Sequence, residues 1–298
     1  MIQFDRASVE RGGQIVVESL SCAWAAGRAV ALIGRGGAGK TSLLAAAATA
    51  LPLHAGDILV EGRSVRREPD AVRREIGYVP ATMPDWPGLR AGEFLELFAT
   101  ASGLRGAAIY GAVDRGLALA GLAGRGGTAL ETLAAAQGKL LLVARALVHD
   151  PRVLLLDDPF AGLDPAGRTR VEQLIGDAQL MGRTVLAAID AADVPACFTD
   201  LAVLREGRLV AAGEHDRRHF EAGRQWACRV VSPGHAEAAA RVLAAVAVDV
   251  RAVDRDTVVL RSDPRRASLA DLVAAVVRAG LPVDEAGFAP PWQAQLLD

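Results

Sequence analysis

The sequence predicts an α/β fold: a parallel sheet carrying a glycine-rich loop, an inserted helical subdomain, and a small α+β domain at the C-terminal end. Three observations carry this. Residues 28–33, Val153 to Leu156 and Thr184 to Ile189 are apolar runs of strand length, as expected of parallel strands covered on both faces. A glycine cluster separates the first run from a helix start at Thr41-Ser42-Leu43-Leu44, which gives strand, loop, helix. Between about 90 and 148 the apolar residues fall at helical spacing instead (Phe94, Leu95, Phe98; Leu117, Leu122; Leu141, Leu142, Ala146).

Within that insertion, Gly121 to Gly127 reads as a loop. The tail gives strand at Trp226 to Val231, helix at His235 to Val246, strands at Val248 to Val253 and Thr257 to Arg261, helix at Ser268 to Ala279, and strand at Val283 to Phe288. This βαββαβ order predicts a ferredoxin-like domain over 223–298, read as a packing or dimerisation module because it carries no catalytic constellation.

Composition narrows the function. The chain has 298 residues, is 51% hydrophobic and has a net charge of -2, which suits a globular protein and argues against a nucleic-acid or polybasic membrane-surface role. No run approaches the roughly 18 apolar residues that would cross a bilayer. The start, Met1-Ile2-Gln3-Phe4-Asp5, lacks the features of a secretion signal, and Cys22, Cys197 and Cys228 are too few and too scattered for a disulfide framework or zinc site. A cytoplasmic location is the expectation. All but two of the 33 basic residues are arginine, so Lys40 and Lys139 call for a reason.

Lys40 has one. Gly34-Arg35-Gly36-Gly37-Ala38-Gly39-Lys40-Thr41 fits G-x-x-x-x-G-K-[ST] in the strand–helix context that gives the pattern meaning. Its backbone N–H groups and the start of the following helix, with Ser42 behind Thr41, would cradle phosphates. Lys40 would reach the β/γ-phosphates, and the Thr41 hydroxyl would bind Mg²⁺. The compact ammonium suits this cradle, whereas a planar guanidinium does not. Asp157 ends an apolar run and so stands at the carboxyl edge of the sheet, where a carboxylate can hold the Mg²⁺ of a nucleotide. Asp158 would point toward the outer phosphate. Lys139 has no comparable motif and reads as a solvated surface residue.

The order of the Gly34-to-Thr41 loop, the helical insertion, Leu133 to Ala146, Val153-Leu-Leu-Leu-Asp157-Asp158-Pro159 through Pro165, and Val203-Leu204-Arg205-Glu206-Gly207-Arg208 resembles the ATP-binding subunit of ABC transporters over residues 1–222. The resemblance implies a P-loop NTPase (RecA-like) core that binds ATP and Mg²⁺ between two such subunits, as a homodimer or a heterodimer with a sister, and drives membrane permease subunits from the inner face of the cell membrane. The permease would dock near Ala81 to Leu89. The C-terminal extension is similar to those of export-type subunits.

The departures from the family pattern fall on one side of the chemistry. The family signature Leu-Ser-Gly-Gly-Gln, which grips the γ-phosphate held by the opposite subunit, stands as Leu133-Ala134-Ala135-Ala136-Gln137. The loop glutamine near Mg²⁺ and the attacking water is Ala81, the catalytic glutamate is the shorter Asp158, and the switch histidine corresponds to Ile189. The aromatic residue that stacks on adenine corresponds to Arg11, whose planar guanidinium can stack. Loss of one stabilising donor costs about 10² to 10³ in rate, so the resemblance implies binding with weak or absent hydrolysis. The alternative from another class is a non-transport pseudo-ATPase scaffold regulated by ATP binding. A P-loop protein acting on DNA or the ribosome is disfavoured by the single nucleotide domain and the near-neutral charge.

Overall fold

The three apolar runs become the middle of a parallel sheet in the computed structural model, which describes residues 1–189, 194–214, 226–247, 249–262 and 269–288. The chain runs through β1 (Ile2–Arg11), β2 (Gln14–Trp24), β3 (Ala29–Ile33), α1 (Lys40–Ala47), β4 (Leu53–Val60), β5 (Arg63–Ser64), α2 (Pro69–Glu75) and β6 (Ile76–Val79). It continues through α3 (Ala91–Ala101), α4 (Ala107–Leu119), α5 (Ala135–Leu147), β7 (Val153–Asp157), α6 (Pro165–Leu180), β8 (Thr184–Ala188), β9 (Asp200–Arg205) and β10 (Arg208–Glu214). The last elements are β11 (Trp226–Val231), α7 (Ala236–Leu243), β12 (Asp249–Ala252), β13 (Thr257–Ser262), α8 (Leu269–Arg278) and β14 (Glu285–Phe288). Contacts divide the chain into a first unit, through residue 190 together with Leu204–Arg208, and a second comprising the rest.

In the first unit β3, β8, β7 and β6 lie side by side in that order, all parallel. Every residue of β3, β7 and β8 is buried, which is why these segments carry no polar alternation. Each buried Leu, Val or Ile there contributes about 1.5–3 kcal/mol. A separate antiparallel sheet, order β2-β1-β4-β5, forms from the N-terminal strands.

The helical subdomain is α3, α4 and α5. Its helices pack through Phe94 and Leu95 of α3, Leu117 of α4 and Leu140 to Val143 of α5, all buried. A Cβ at Gly116 would stand 2.7 Å from Leu95 Cδ1, so α4 approaches α3 closely because a small residue occupies that position. At the start of α6 the carboxylate of Asp164 accepts from Gly167 N at 2.7 Å and Pro165 occupies the first turn, which fixes where β7 hands over to its helix.

The second unit contains a four-stranded antiparallel sheet, order β12-β13-β11-β14, with α7 and α8 between its strands in chain order. Val230, Leu243, Val258, Leu260, Leu272 and Val276 form a core of their own. Among the described residues no helix is long and apolar enough to cross a membrane.

Candidate functional site

The loop between β3 and α1 contains glycines kept for two different reasons. Gly39 caps α1 at φ +98°, and a Cβ there would stand 2.4 Å from Val16 O and 2.8 Å from Val17 Cγ2. Glycine is demanded by both dihedral and space. A Cβ at Gly36 would meet nothing within 4 Å, and the same is true at Gly37, so this stretch of backbone opens outward. From behind, Leu204 O stands 2.3 Å from where a Cβ of Gly34 would be, and Gly207 N donates to Ala38 O at 3.2 Å. Ala38 is buried, its N–H donating to Arg35 O at 3.1 Å.

Lys40 Nζ donates to the carbonyl oxygens of Gly34 and Arg35, which places the ammonium at the mouth of the loop. Thr41 Oγ1 donates to Asp157 Oδ1 at 3.1 Å, and Ser42, in the first turn of α1, is buried. The parallel pairing of β3, β8 and β7 produces that contact by bringing the ends of β3 and β7 to the same sheet edge. Asp157 is buried, and its Oδ2 has no hydrogen-bond partner. Burial pushes its carboxyl pKa upward and the Thr41 hydrogen bond opposes this. A buried carboxylate oxygen without a partner is costly, and a hydroxyl beside it completes a pair of hard oxygen donors. These residues fit a divalent cation.

The opposite side of the site is built differently. Asp158 is exposed at φ +48°, a region that aspartate tolerates better than most residues, and its N–H donates to Ala188 O at 2.9 Å. Ala81 is half-buried and brings only a methyl group. Ala134 and Ala135 are exposed, Ala136 and Gln137 half-buried, all at the start of α5. Gln137 Oε1 accepts from Ala134 N at 3.3 Å, whereas Ala134 has no hydroxyl to cap the helix in return. Ile189 is 3% exposed and its N–H donates to Leu32 O at 3.1 Å, so its side chain belongs to the core and cannot serve as a polar switch. The residue after it lies outside the described residues. Arg11 is exposed at the β1–β2 turn, opposite Gln14.

Lys139 corrects the reading from sequence. It is 6% exposed, and its Nζ donates to Ala81 O at 2.5 Å and to Asp158 O at 3.0 Å. Instead of a solvated surface residue, it is an internal cation between the two depleted positions. Burial lowers its pKa while Asp158 and then Asp157 oppose the fall. Arg145, which no sequence motif singles out, donates to Tyr78 O and lies 4.9 Å over the Phe98 ring. Lys40 lies in the loop, whereas Lys139 ties the backbone at Ala81 to that at Asp158.

The arrangement can hold a polyphosphate and a metal. A model of the ABC transporter family matches residues 17–161. The Nod factor export ATP-binding protein I of Paraburkholderia xenovorans is 30% identical over 213 residues, which are 71% of this chain and 70% of that protein. A solved ATP-binding subunit of an ABC transporter superposes with a TM-score of 0.67 at 24% identity, over 75% of this chain and 93% of that one. A dimeric post-hydrolysis state of an ATP-binding cassette bound to ADP and Pi superposes with a TM-score of 0.66 at 21% identity, over 72% of this chain and 98% of that one. At those identities the structural likeness is one of fold.

Proposed function

Because the chain belongs to the family of ATP-binding subunits of ABC transporters, we propose that it binds MgATP, dimerises around the nucleotide and couples that closure to membrane permease subunits. The observation that carries the binding reading is the Thr41 Oγ1–Asp157 Oδ1 contact beside an unpartnered Asp157 Oδ2, at the mouth of the loop that holds Lys40. Thr41 and Asp157 would hold Mg²⁺, which neutralises phosphate charge when bound. Lys40 and the N–H groups from Gly36 to Thr41 would take the phosphates, and Arg11 would face the adenine ring.

Intrinsic hydrolysis is weak or absent in this reading. Ala81 and the Ala134 to Ala136 run bring no polar side chain, Ile189 is core, and Asp158 is one methylene shorter than the family's glutamate. Phosphoryl transfer depends on such positioned groups, and missing donors are not replaced by binding alone. The partner cassette is a second copy or a sister subunit. Export is the direction favoured by likeness to the Nod factor export protein. The chain would then lie at the inner face of the cell membrane through its permease. Residues 223–298 form a ferredoxin-like accessory domain in this reading, supported by the self-contained core drawn from Val230 to Val283. The named relative is an export ATP-binding protein, which weighs against a non-transport scaffold.

The test compares MgATP affinity and phosphate release for wild type and Lys40→Ala, alone and with co-purified permease. Lys40-dependent binding with negligible release is the expected result. Lys40-dependent turnover near one per second, ordinary for phosphoryl-transfer enzymes, would overturn the weak-hydrolysis reading.

A further inference from the structure

Three segments that lie apart in sequence meet on one buried ammonium. Lys139 of α5 donates from Nζ to Ala81 O at 2.5 Å, in the loop that follows β6, and to Asp158 O at 3.0 Å, in the turn that follows β7. Two carbonyl oxygens are both acceptors and cannot bond to each other, so a donor with more than one N–H is what joins them. Asp158 holds a φ of +48°, and its N–H donates to Ala188 O at 2.9 Å, so its backbone is fixed on both sides. Beyond Ala81 the loop rests on the helical subdomain, where Trp86 packs edge-on against Phe94 and Phe98 with ring centroids 5.9 and 6.0 Å away. Anchoring β6 to α5 does not require Lys139, because Arg145 of the same helix holds Tyr78 O. What Lys139 adds is the link between the loop at Ala81 and the turn at Asp158.

We propose that Lys139 is a positioning residue that carries nucleotide occupancy at Asp157 to the segment from Ala81 to Leu89, because one ammonium makes the turn at Asp158 and the loop at Ala81 shift together. This rests on the nucleotide-binding reading above, in which Asp157, the covalent neighbour of Asp158, takes the metal. Both bonds are charge-assisted, and burial of the ammonium keeps water from competing for them. Ala81 ends in a methyl group, so its carbonyl is the handle by which the loop is held. An apolar side chain of the same length would be cheaper to bury, yet it would fill the space without joining the two carbonyls.

The experiment measures backbone hydrogen exchange of the full chain by mass spectrometry, without nucleotide and with saturating MgATP, beside an equilibrium titration of MgATP. The reporter is the peptide over residues 76–89, where β6 pairs with β7 and Leu89 N donates to Trp86 O. In wild type MgATP should slow its exchange by about fivefold or more. Lys139→Met and Lys139→Gln should each reduce that response to about twofold or less, while the peptide over residues 34–44 is still protected by MgATP and the Kd stays within about threefold of wild type. Methionine removes the donors, and glutamine keeps two of them on a stem one atom shorter, so a wild-type response in either variant would overturn the proposal. Faster exchange in both states with the MgATP response intact would also overturn it, since that is the mark of a structural role. A fall in MgATP affinity beyond about tenfold in the variants would overturn it as well, because Lys139 would then act on binding. If Lys139→Met does not fold, Lys139→Gln alone decides. Absence of MgATP binding by wild type would remove the nucleotide reading and this inference together, whereas binding with no response over 76–89 would remove only the inference.

Discussion

The loop side of the nucleotide site and the side facing it keep their backbones for different purposes. Around Gly34 to Thr41, glycine spacing, the Lys40 ammonium and the Thr41–Asp157 contact all suit the proposed ligand. Around Ala81, Ala134 to Ala136 and Asp158 the same family positions are occupied, α5 still begins at Ala135, and the loop from Tyr78 is still tied down. What differs is the polar side chain at 81 and 134 and the glycine at 135 and 136. In the proposed function, holding a nucleotide and reacting it are separable, because the first needs a local motif and the second needs side chains from several distant segments.

The widest gap between the two sides should appear in binding. Lys40→Ala is expected to weaken ATP affinity by about 10- to 100-fold through loss of a charge-assisted contact. Asp158→Asn, on the opposite side, should change it by less than about threefold, since an exposed carboxylate is well screened. Equilibrium titration of both variants checks this, and equal losses would break the comparison.

Within the loop, two glycines sharpen it. Gly39→Ala places a Cβ against Val16 O and Val17 Cγ2 at φ +98°, and should cost about 2–3 kcal/mol of stability before any ligand is present. Gly36→Ala meets nothing within 4 Å, so its stability should stay within about 0.5 kcal/mol of wild type while ATP affinity falls. Denaturant unfolding of ligand-free protein separates the two. A large stability loss at Gly36 would show that the outward-facing backbone is structural after all.

How much of this could be read from sequence follows the range of each interaction. The fully apolar runs announce β3, β7 and β8 because burial on both faces leaves no other pattern. The β2-β1-β4-β5 sheet was not anticipated: its pairings are interrupted by register shifts, as between Phe4 and Ala7 against β2, so burial does not alternate cleanly. Lys40, Thr41 and Asp157 lie in contiguous motifs and were legible. Lys139 was not, since its partners are backbone carbonyls 58 and 19 residues away, and a carbonyl carries no sequence signature.

The smallest expected effect concerns the start of α5, where the two sides of the comparison meet in one residue. A hydroxyl at 134 would do two things: offer a donor toward a partner's phosphate, and cap the helix by accepting an N–H of its first turn. Gln137 Oε1 already supplies the return hydrogen bond to Ala134 N, so half of a capping box is in place. Ala134→Ser completes it and should stabilise the ligand-free protein by about 1 kcal/mol, with the unfolding midpoint rising and the denaturant slope unchanged. Phosphate release should remain negligible, because Ala81, Ala135, Ala136 and Asp158 are untouched. A variant that is stabilised and still does not turn over ATP would show that the missing serine affects folding energy and chemistry independently. A restored rate from this change alone would show that the reactive side lacks one donor rather than several.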